Sequence, residues 1–359
     1  MSRFRYKIIV SDLHLGMGGF DPDGNRNLFE DFHYDAQFAE FLQYYCEGNY
    51  AKTEVELILN GDILNHLAVP PEEPFADFLT ERVSLERTET IIHGHPVFFD
   101  ALEAFAHNPK RRITYMMGNH DIGVAWPAVQ QLIKNRVHTD IKFFLGAYEV
   151  DGLHVEHGNR FLIDNHVDLD NLFLTRGEPE PVLKMPWGNF FVIHFINPLK
   201  RERAYVGSVY PFKMYLNWAL IHDTRFALKS IFRMVAYFLK LNFVRDPKRN
   251  FSLGDTWRIL KDFSFPLSLD KMAKKILVKD PKIRFVTFGH THHATYRQFA
   301  LGKEYINTGS WNELIGLDIG SLGRHLRFTF AELRLDEKNA LRASLKQWKG
   351  THRAVEDMV

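Results

Sequence analysis

Residues 288–293 read FGHTHH, three histidines in six positions, directly after an apolar run containing Ile283, Phe285, Val286 and Phe288. In a chain with 18 histidines some clustering is expected, and a solvated loop tip is an ordinary place for it. Other β-rich runs decide the matter, because YKIIVSDLH, VELILNGD, ITYMMGNHD and LHVEHGN also end in metal-type donors. The pooled donors are Asp12 and His14, Asp62, Asn119 and His120, His157, and His290 and His292. Asp-x-His and His-x-His put two donors on one side of an extended backbone, where side chains alternate with period two. Carboxylate, imidazole and amide oxygen with no cysteine nearby suit Mn²⁺, Fe²⁺ or Zn²⁺ rather than a soft thiolate site. So many donors exceed the needs of one ion. Two ions sharing a carboxylate, roughly 3.5 to 4 Å apart, would use them all, and such a pair clamps a phosphoryl group while generating hydroxide.

The elements that must position these donors are legible in the same pattern. Short runs without alternation are strands buried on both faces, with chemistry in the loops at their C-terminal ends. Between them DAQFAEFLQYY and HPVFFDALEAFAH repeat apolar residues at three and four, as helices do. Strand alternating with helix predicts a layered α/β domain. Near the end, HLRFTFAELRL and ALRASLKQW alternate around DEKN, which predicts a β-hairpin closing the sheet. Gly61, Gly118 and Gly289 each precede a donor, where a tight turn or a close backbone approach is needed. The sequence carries no internal repeat and no low-complexity tract.

At 359 residues the chain has room for a large core, and 45 Lys plus Arg against 44 Asp plus Glu gives no overall field that would select nucleic acid. Cys46 stands alone and cannot form an internal disulfide, and the amino terminus enters a strand with no long apolar stretch. A reducing, cytoplasmic setting is the expectation, with no spanning helix and with peripheral contact at the inner face of a membrane left open.

The ordered blocks DLH, GDILN, GNHD, HGN and GHTH, spanning 12–292, resemble the calcineurin-like metallophosphoesterase superfamily, and NTGSW (307–311) resembles the strand that follows. The resemblance implies a four-layer α/β/β/α sandwich built from 1–165 and 283–359. It further implies two divalent ions, with manganese in first place and iron or zinc as alternatives. Asp12, His14, Asp62 and His292 would surround one ion, Asp62 would bridge, and Asn119, His157 and His290 would surround the second. His120 would stabilise the transition state or protonate the leaving group, oriented by Asp121. Asn65, where many members carry an acid, is assigned a supporting or substrate contact, and Asn159 a substrate contact. Gly-His also occurs in IIHGHP, but Pro96 predicts a helix start there, so His93 and His95 are expected in capping or surface duty. His66 and His293 adjoin the donors, where each either touches phosphate or stands solvated at the rim.

From 166 to 282 the strand-and-loop rhythm stops, and the stretch reads as an inserted, mainly helical cap. On a helix, Arg225, Lys229, Arg233 and Lys240 form a narrow stripe, while Phe226, Leu228, Ile231, Met234, Val235, Phe238 and Leu239 cover most of the rest. Such a helix either packs into a small core of its own or meets a membrane or acyl chains. A cap between the fourth and fifth blocks loosely resembles UDP-2,3-diacylglucosamine pyrophosphatases of lipid A synthesis; Asn197 and Arg201 would then sit at its base. The expected partner is a phosphorylated small-molecule or lipid substrate. Nucleotides or nucleic acid ends are the alternative, which calls for a basic groove with exposed aromatics.

Overall fold

The computed structural model describes residues 5–20, 23–69, 78–210, 212–243, 254, 268–317, 322–336, 340–351 and 355–358. Its strands in chain order are β1 (Arg5–Val10), β2 (Glu54–Asn60), β3 (Arg111–Met116), β4 (Lys142–Phe144), β5 (Tyr148–Val150), β6 (Leu153–Val155), β7 (Phe173–Leu174), β8 (Val182–Leu183) and β9 (Val209–Tyr210). There follow β10 (Phe285–Phe288), β11 (Thr295–Phe299), β12 (Lys303–Asn307), β13 (Leu314–Gly316), β14 (Gly323–His325), β15 (Phe328–Leu335), β16 (Leu341–Trp348) and β17 (Val355–Asp357). The α-helices are α1 (Asp35–Tyr44), α2 (Glu81–Gly94), α3 (Pro96–Ala106), α4 (Pro127–Val137), α5 (Trp187–Phe191), α6 (Asn197–Glu202), α7 (Phe212–His222), α8 (Thr224–Phe243) and α9 (Leu269–Lys279).

A seven-stranded sheet runs β17-β16-β15-β1-β2-β3-β4, with β1 to β4 parallel, and a five-stranded sheet runs β11-β12-β10-β6-β5, with β6, β10 and β12 parallel. Period-two burial makes this a four-layer α/β/β/α sandwich. Ile8, Val10, Leu57, Leu59, Ile113 and Tyr115 face one core with α1 to α4, whereas Ile9, Ile58 and Met116 face Leu153, Val155, Phe285 and Ile306 of the other sheet. On the far side Val286, Phe288 and Tyr305 meet Leu269, Ala273 and Leu277 of α9. The expected hairpin forms from β15 and β16, but it docks on β1, and β17 takes the edge beyond it.

Between the β6 and β10 blocks, α5 to α8 gather around a core of their own that includes Trp187, Phe195, Leu199, Tyr215 and Phe226. Leu183, Met185, Phe190 and Ile193 meanwhile join the main core, so this helical region sits directly over the strand ends. A π-helical turn at Val192–Ile196 joins α5 to α6, with the Asn197 N–H reaching back five residues to Val192. Of the apolar and basic faces expected on α8, the Phe238 and Lys240 side chains lie outside the described residues.

Candidate metal centre

The donors sit just past the C-terminal ends of β1, β2, β3, β6 and β10, and hydrogen bonds between their loops set the spacing. His14 N donates to Asp62 O at 2.9 Å and Gly289 N donates to His157 O at 2.9 Å. His290 N donates to both carboxylate oxygens of Asp12, at 3.0 and 2.9 Å, so this side chain ties the loop of one sheet to that of the other. The convergence follows a different route from the one the spacing suggests. β1 ends at Val10 and β10 at Phe288, and Asp12, His14, Asp62, His290 and His292 all take positive φ, at 56°, 55°, 52°, 70° and 59°. Left-handed turns aim these side chains, and pleat alternation does not. Asp and His are among the few non-glycine types that enter this region with any frequency. Gly61 is needed on two counts: its φ is +78°, and a Cβ there would come within 2.6 Å of His157 Nδ1.

Three overlapping groups of donors result: Asp12 with His14 and His292, His14 with Asp62 and His120, and Asp62 with His157 and His290. Within them His14 Nε2 and His292 Nε2 stand 3.0 Å apart, and His157 Nε2 stands 3.1 Å from Asp62 Oδ2. Two buried atoms fit a cation by default. His157 donates Nδ1–H to Asn60 O at 2.8 Å, which leaves Nε2 with no well-formed hydrogen bond, and Asn119 Oδ1 is likewise buried and unpartnered. Orphaned buried acceptors are rare unless something fills them, and fixing the second ring nitrogen on a carbonyl is how a ligating imidazole is oriented. Without an ion, burial and the neighbouring His157 take His290 down to about 3, so it stands neutral. Against its burial, His157 is driven up to about 10 by Asp62 and Asp12. Burial would raise the Asp62 carboxyl, yet His157 and His120 hold it well below the usual range. A cation between them would take the place of that proton.

His120 joins this centre through a partner other than the expected one. Its Nδ1 lies 3.0 Å from Asn65 Oδ1, and its backbone N donates to Asp62 Oδ1 at 2.8 Å. Asp121 instead accepts from Ile63 N, Gly118 N and the Tyr115 hydroxyl, at 2.9, 2.6 and 2.7 Å. It braces the loop under the site and does not orient the imidazole.

A cavity of about 280 Å³ opens beside His14, His120 and His292, with Asn65 and Asn312 in its wall. Phe191, Val192, Ile196, Val206 and Val209 line its other side. Asn197 reaches it, held by a 2.8 Å bond from Nδ2 to Leu67 O. Arg201 does not reach it: this residue is exposed and its guanidinium stacks 5.7 Å from the Phe29 ring. Lys200 stands in its place, buried, with Nζ 2.7 Å from Asp31 Oδ1. KRER at 200–203 was the signal for a cation here, and helix phase decides which one faces inward. Asn159 also falls away from the cavity, because it is buried and donates to Asn165 O at 2.9 Å.

The flanking histidines divide. His93 is exposed in the last turn of α2, as expected of a surface residue. His95 is 2 % exposed and makes no side-chain cap, because Asp35 Oδ1 and Glu30 Oε2 hold its two nitrogens at 2.9 and 3.2 Å. His66 is buried rather than at the rim, bonded to Thr88 Oγ1 at 3.0 Å. His293 lines a second cavity beside His292.

No family model and no curated protein matches the chain. Among solved structures it is similar to a conserved protein of Streptococcus pneumoniae TIGR4 described as a predicted phosphoesterase, at 10 % identity over 100 % of this chain and 99 % of that one, TM-score 0.31. It is also similar to a dimetal phosphatase from Danio rerio, at 9 % identity over 99 % and 98 % of the two chains, TM-score 0.39. Zinc-complexed Vps29 from Entamoeba histolytica matches at 18 % identity over 26 % of this chain and 47 % of that one, TM-score 0.18.

Proposed function

We propose that the chain is a metal-dependent hydrolase of a phosphoester or pyrophosphate bond working with two divalent ions, manganese in first place and iron or zinc as alternatives. Asp12, His14, Asp62 and His292 hold one ion in this reading, and Asp62, Asn119, His157 and His290 hold the other. Bound there, the ions supply an acidified water and neutralise phosphoryl charge. Asn60 O and Asn65 Oδ1 keep His157 and His120 in the tautomers that leave Nε2 for the site. Protonated at both nitrogens, with Nδ1–H on Asn65, His120 would give its Nε2 proton to the departing oxygen and be left as the neutral Nδ1–H tautomer. The observation that carries the reading is Asp62, which belongs to donor groups on both sides of the centre. Metal analysis, with a panel of phosphomonoesters, phosphodiesters and pyrophosphates in Mn²⁺, tests it. Fewer than two ions per chain together with no turnover on any class would overturn it.

For the substrate we propose a lipid-linked phosphate or pyrophosphate met at the inner face of a membrane. The apolar wall of the cavity supports this, and so does the exposed surface of α7 and α8. Met214, Trp218 and Ile221 stand exposed along α7, and Leu228, Phe232, Val235 and Leu239 along α8, at the three-and-four spacing of a single stripe on each helix. Exposed apolar stripes of this extent mark a contact surface. Their cationic flank is narrower than the sequence suggests, since Lys229 and Arg233 both pair with Glu202, at 2.9 and 2.6 Å. Among the described residues no helix is long and apolar enough to cross a membrane, which leaves interfacial contact as the mode.

A further inference from the structure

His292, Asn312 and Leu314 form a wall shared by two cavities, the first being the one beside His14 and His120. The second, of about 230 Å³, is lined also by His293, His325, Arg327 and Thr329, near the start of β15. The two differ in charge. The first contains a lysine, but Lys200 is already paired with Asp31, and Glu313 lies in the same wall. None of the residues lining the second cavity is acidic. Nearby Arg324 is held by Glu313 at 2.9 Å, whereas Arg327 makes no ion pair or hydrogen bond with any other described residue. Asn312 adds a second open group. Its Nδ2 donates to Leu13 O at 2.8 Å, and its Oδ1 is buried with no hydrogen-bond partner.

We propose that this second cavity is an anion subsite, in which Arg327 binds a phosphate attached to the phosphorus under attack and Asn312 Oδ1 accepts a hydroxyl or N–H of the group that carries it. The inference rests on the hydrolase reading above and deepens it. The centre cuts a pyrophosphate link, with the apolar portion of the substrate on one side of His292 and the anionic portion on the other. Arg327 is exposed where it lines this cavity, so an anion there can reach it, and guanidinium matches phosphate with two parallel N–H···O bonds. Water attacks one phosphorus, the P–O bond to the second phosphate breaks, and the leaving phosphate takes the proton and departs from the Arg327 side.

The experiment compares the Mn²⁺-loaded wild type with Arg327→Ala and Arg327→Lys on three substrates: bis(p-nitrophenyl) phosphate, a nucleoside diphosphate sugar, and dioctanoylglycerol pyrophosphate. The expected result is that Arg327→Ala lowers the ratio of kcat/KM on a pyrophosphate to that on the diester by about 10-fold or more, through KM, as loss of a charge-assisted pair implies. Arg327→Lys should recover part of it, and the bound metal and melting temperature should stay unchanged in both variants. Selective loss on both pyrophosphates, or on either one, supports the subsite and tells whether a nucleotide or a lipid headgroup brings the phosphate. An unchanged ratio overturns the inference. So does a wild type that cleaves the diester and neither pyrophosphate, although the hydrolase reading would then survive. A wild type that cleaves none of the three fails at the earlier step.

Discussion

His120 Nδ1 meets Asn65 Oδ1 at 3.0 Å, so an amide oxygen, which cannot be protonated, fixes the imidazole beside the donors. Asn65→Ala should therefore loosen His120 without touching a ligand. The expected loss is roughly 10- to 100-fold in kcat, the usual effect of removing a group that orients another. Metal content, read by mass spectrometry, should stay at the wild-type level. Metal loss in Asn65→Ala would mean that His120 is itself a ligand.

Asp62 and His120 should part company under substitution. Asp62→Ala removes a carboxylate common to two donor groups and should release both ions and abolish turnover. His120→Ala should keep its ions and lose roughly 10² to 10⁴ in kcat, the range for a positioned acid or base. Two ions still bound in Asp62→Ala would refute the shared carboxylate.

His95 should make stability fall with rising pH. Its burial would lower the pKa, but bonds to Asp35 and Glu30 raise it to about 9 from an ordinary 6.5. The folded state therefore holds the proton more tightly than the unfolded one. That contribution is complete below pH 6.5 and is lost as pH rises through 9, a change of roughly 3 kcal/mol at most. Urea midpoints at pH 6, 7.5 and 9.5 would record the decline, and His95→Gln should flatten it. Equal slopes in the two proteins would place the effect elsewhere.

The stripe on α8 offers a test of the membrane reading at positions that can change without disturbing a core. Phe232 and Leu228 are 73 % and 57 % exposed. Replacing both with Asp should abolish sedimentation with anionic vesicles, each side chain forgoing about 1.5 to 3 kcal/mol of apolar burial at the interface. Melting temperature and turnover of bis(p-nitrophenyl) phosphate should hold. Vesicle binding by the variant equal to that of a wild type that sediments would take this stripe out of the account, and a wild type that fails to sediment would remove the membrane and favour soluble nucleotides.

The layered fold and the convergence of strand ends were readable because burial on both faces leaves an unbroken apolar run, and because each run stops in a polar donor. What periodicity could not supply was the conformation beyond the strand. His290 and His292 look like alternate residues of an extended chain, but nothing in His-x-His reports φ values of 70° and 59°. Tertiary partners were equally hidden. Lys200 and Arg201 are neighbours of like charge, and only the phase of α6 against the Asp31 loop makes one a cavity residue and the other a surface one. His95 does stand at the start of α3, as Pro96 suggests, but its burial was hidden because the two acids that hold it, Glu30 and Asp35, lie 65 and 60 positions away.

The left-handed turns at Asp12, His14, Asp62, His290 and His292 hold the donor loops under strain. Each such residue costs of order 1 to 3 kcal/mol, a sum comparable with much of the 5 to 15 kcal/mol that keeps an ordinary domain folded. The sheets and the loop-to-loop bonds at Asp12 meet that cost. The five turns are thus stored tension, and it should be measurable. Changing His292 to glycine would sacrifice a ligand and yet raise the melting temperature of the chelator-treated protein, since glycine accepts a φ of 59° at no steric cost.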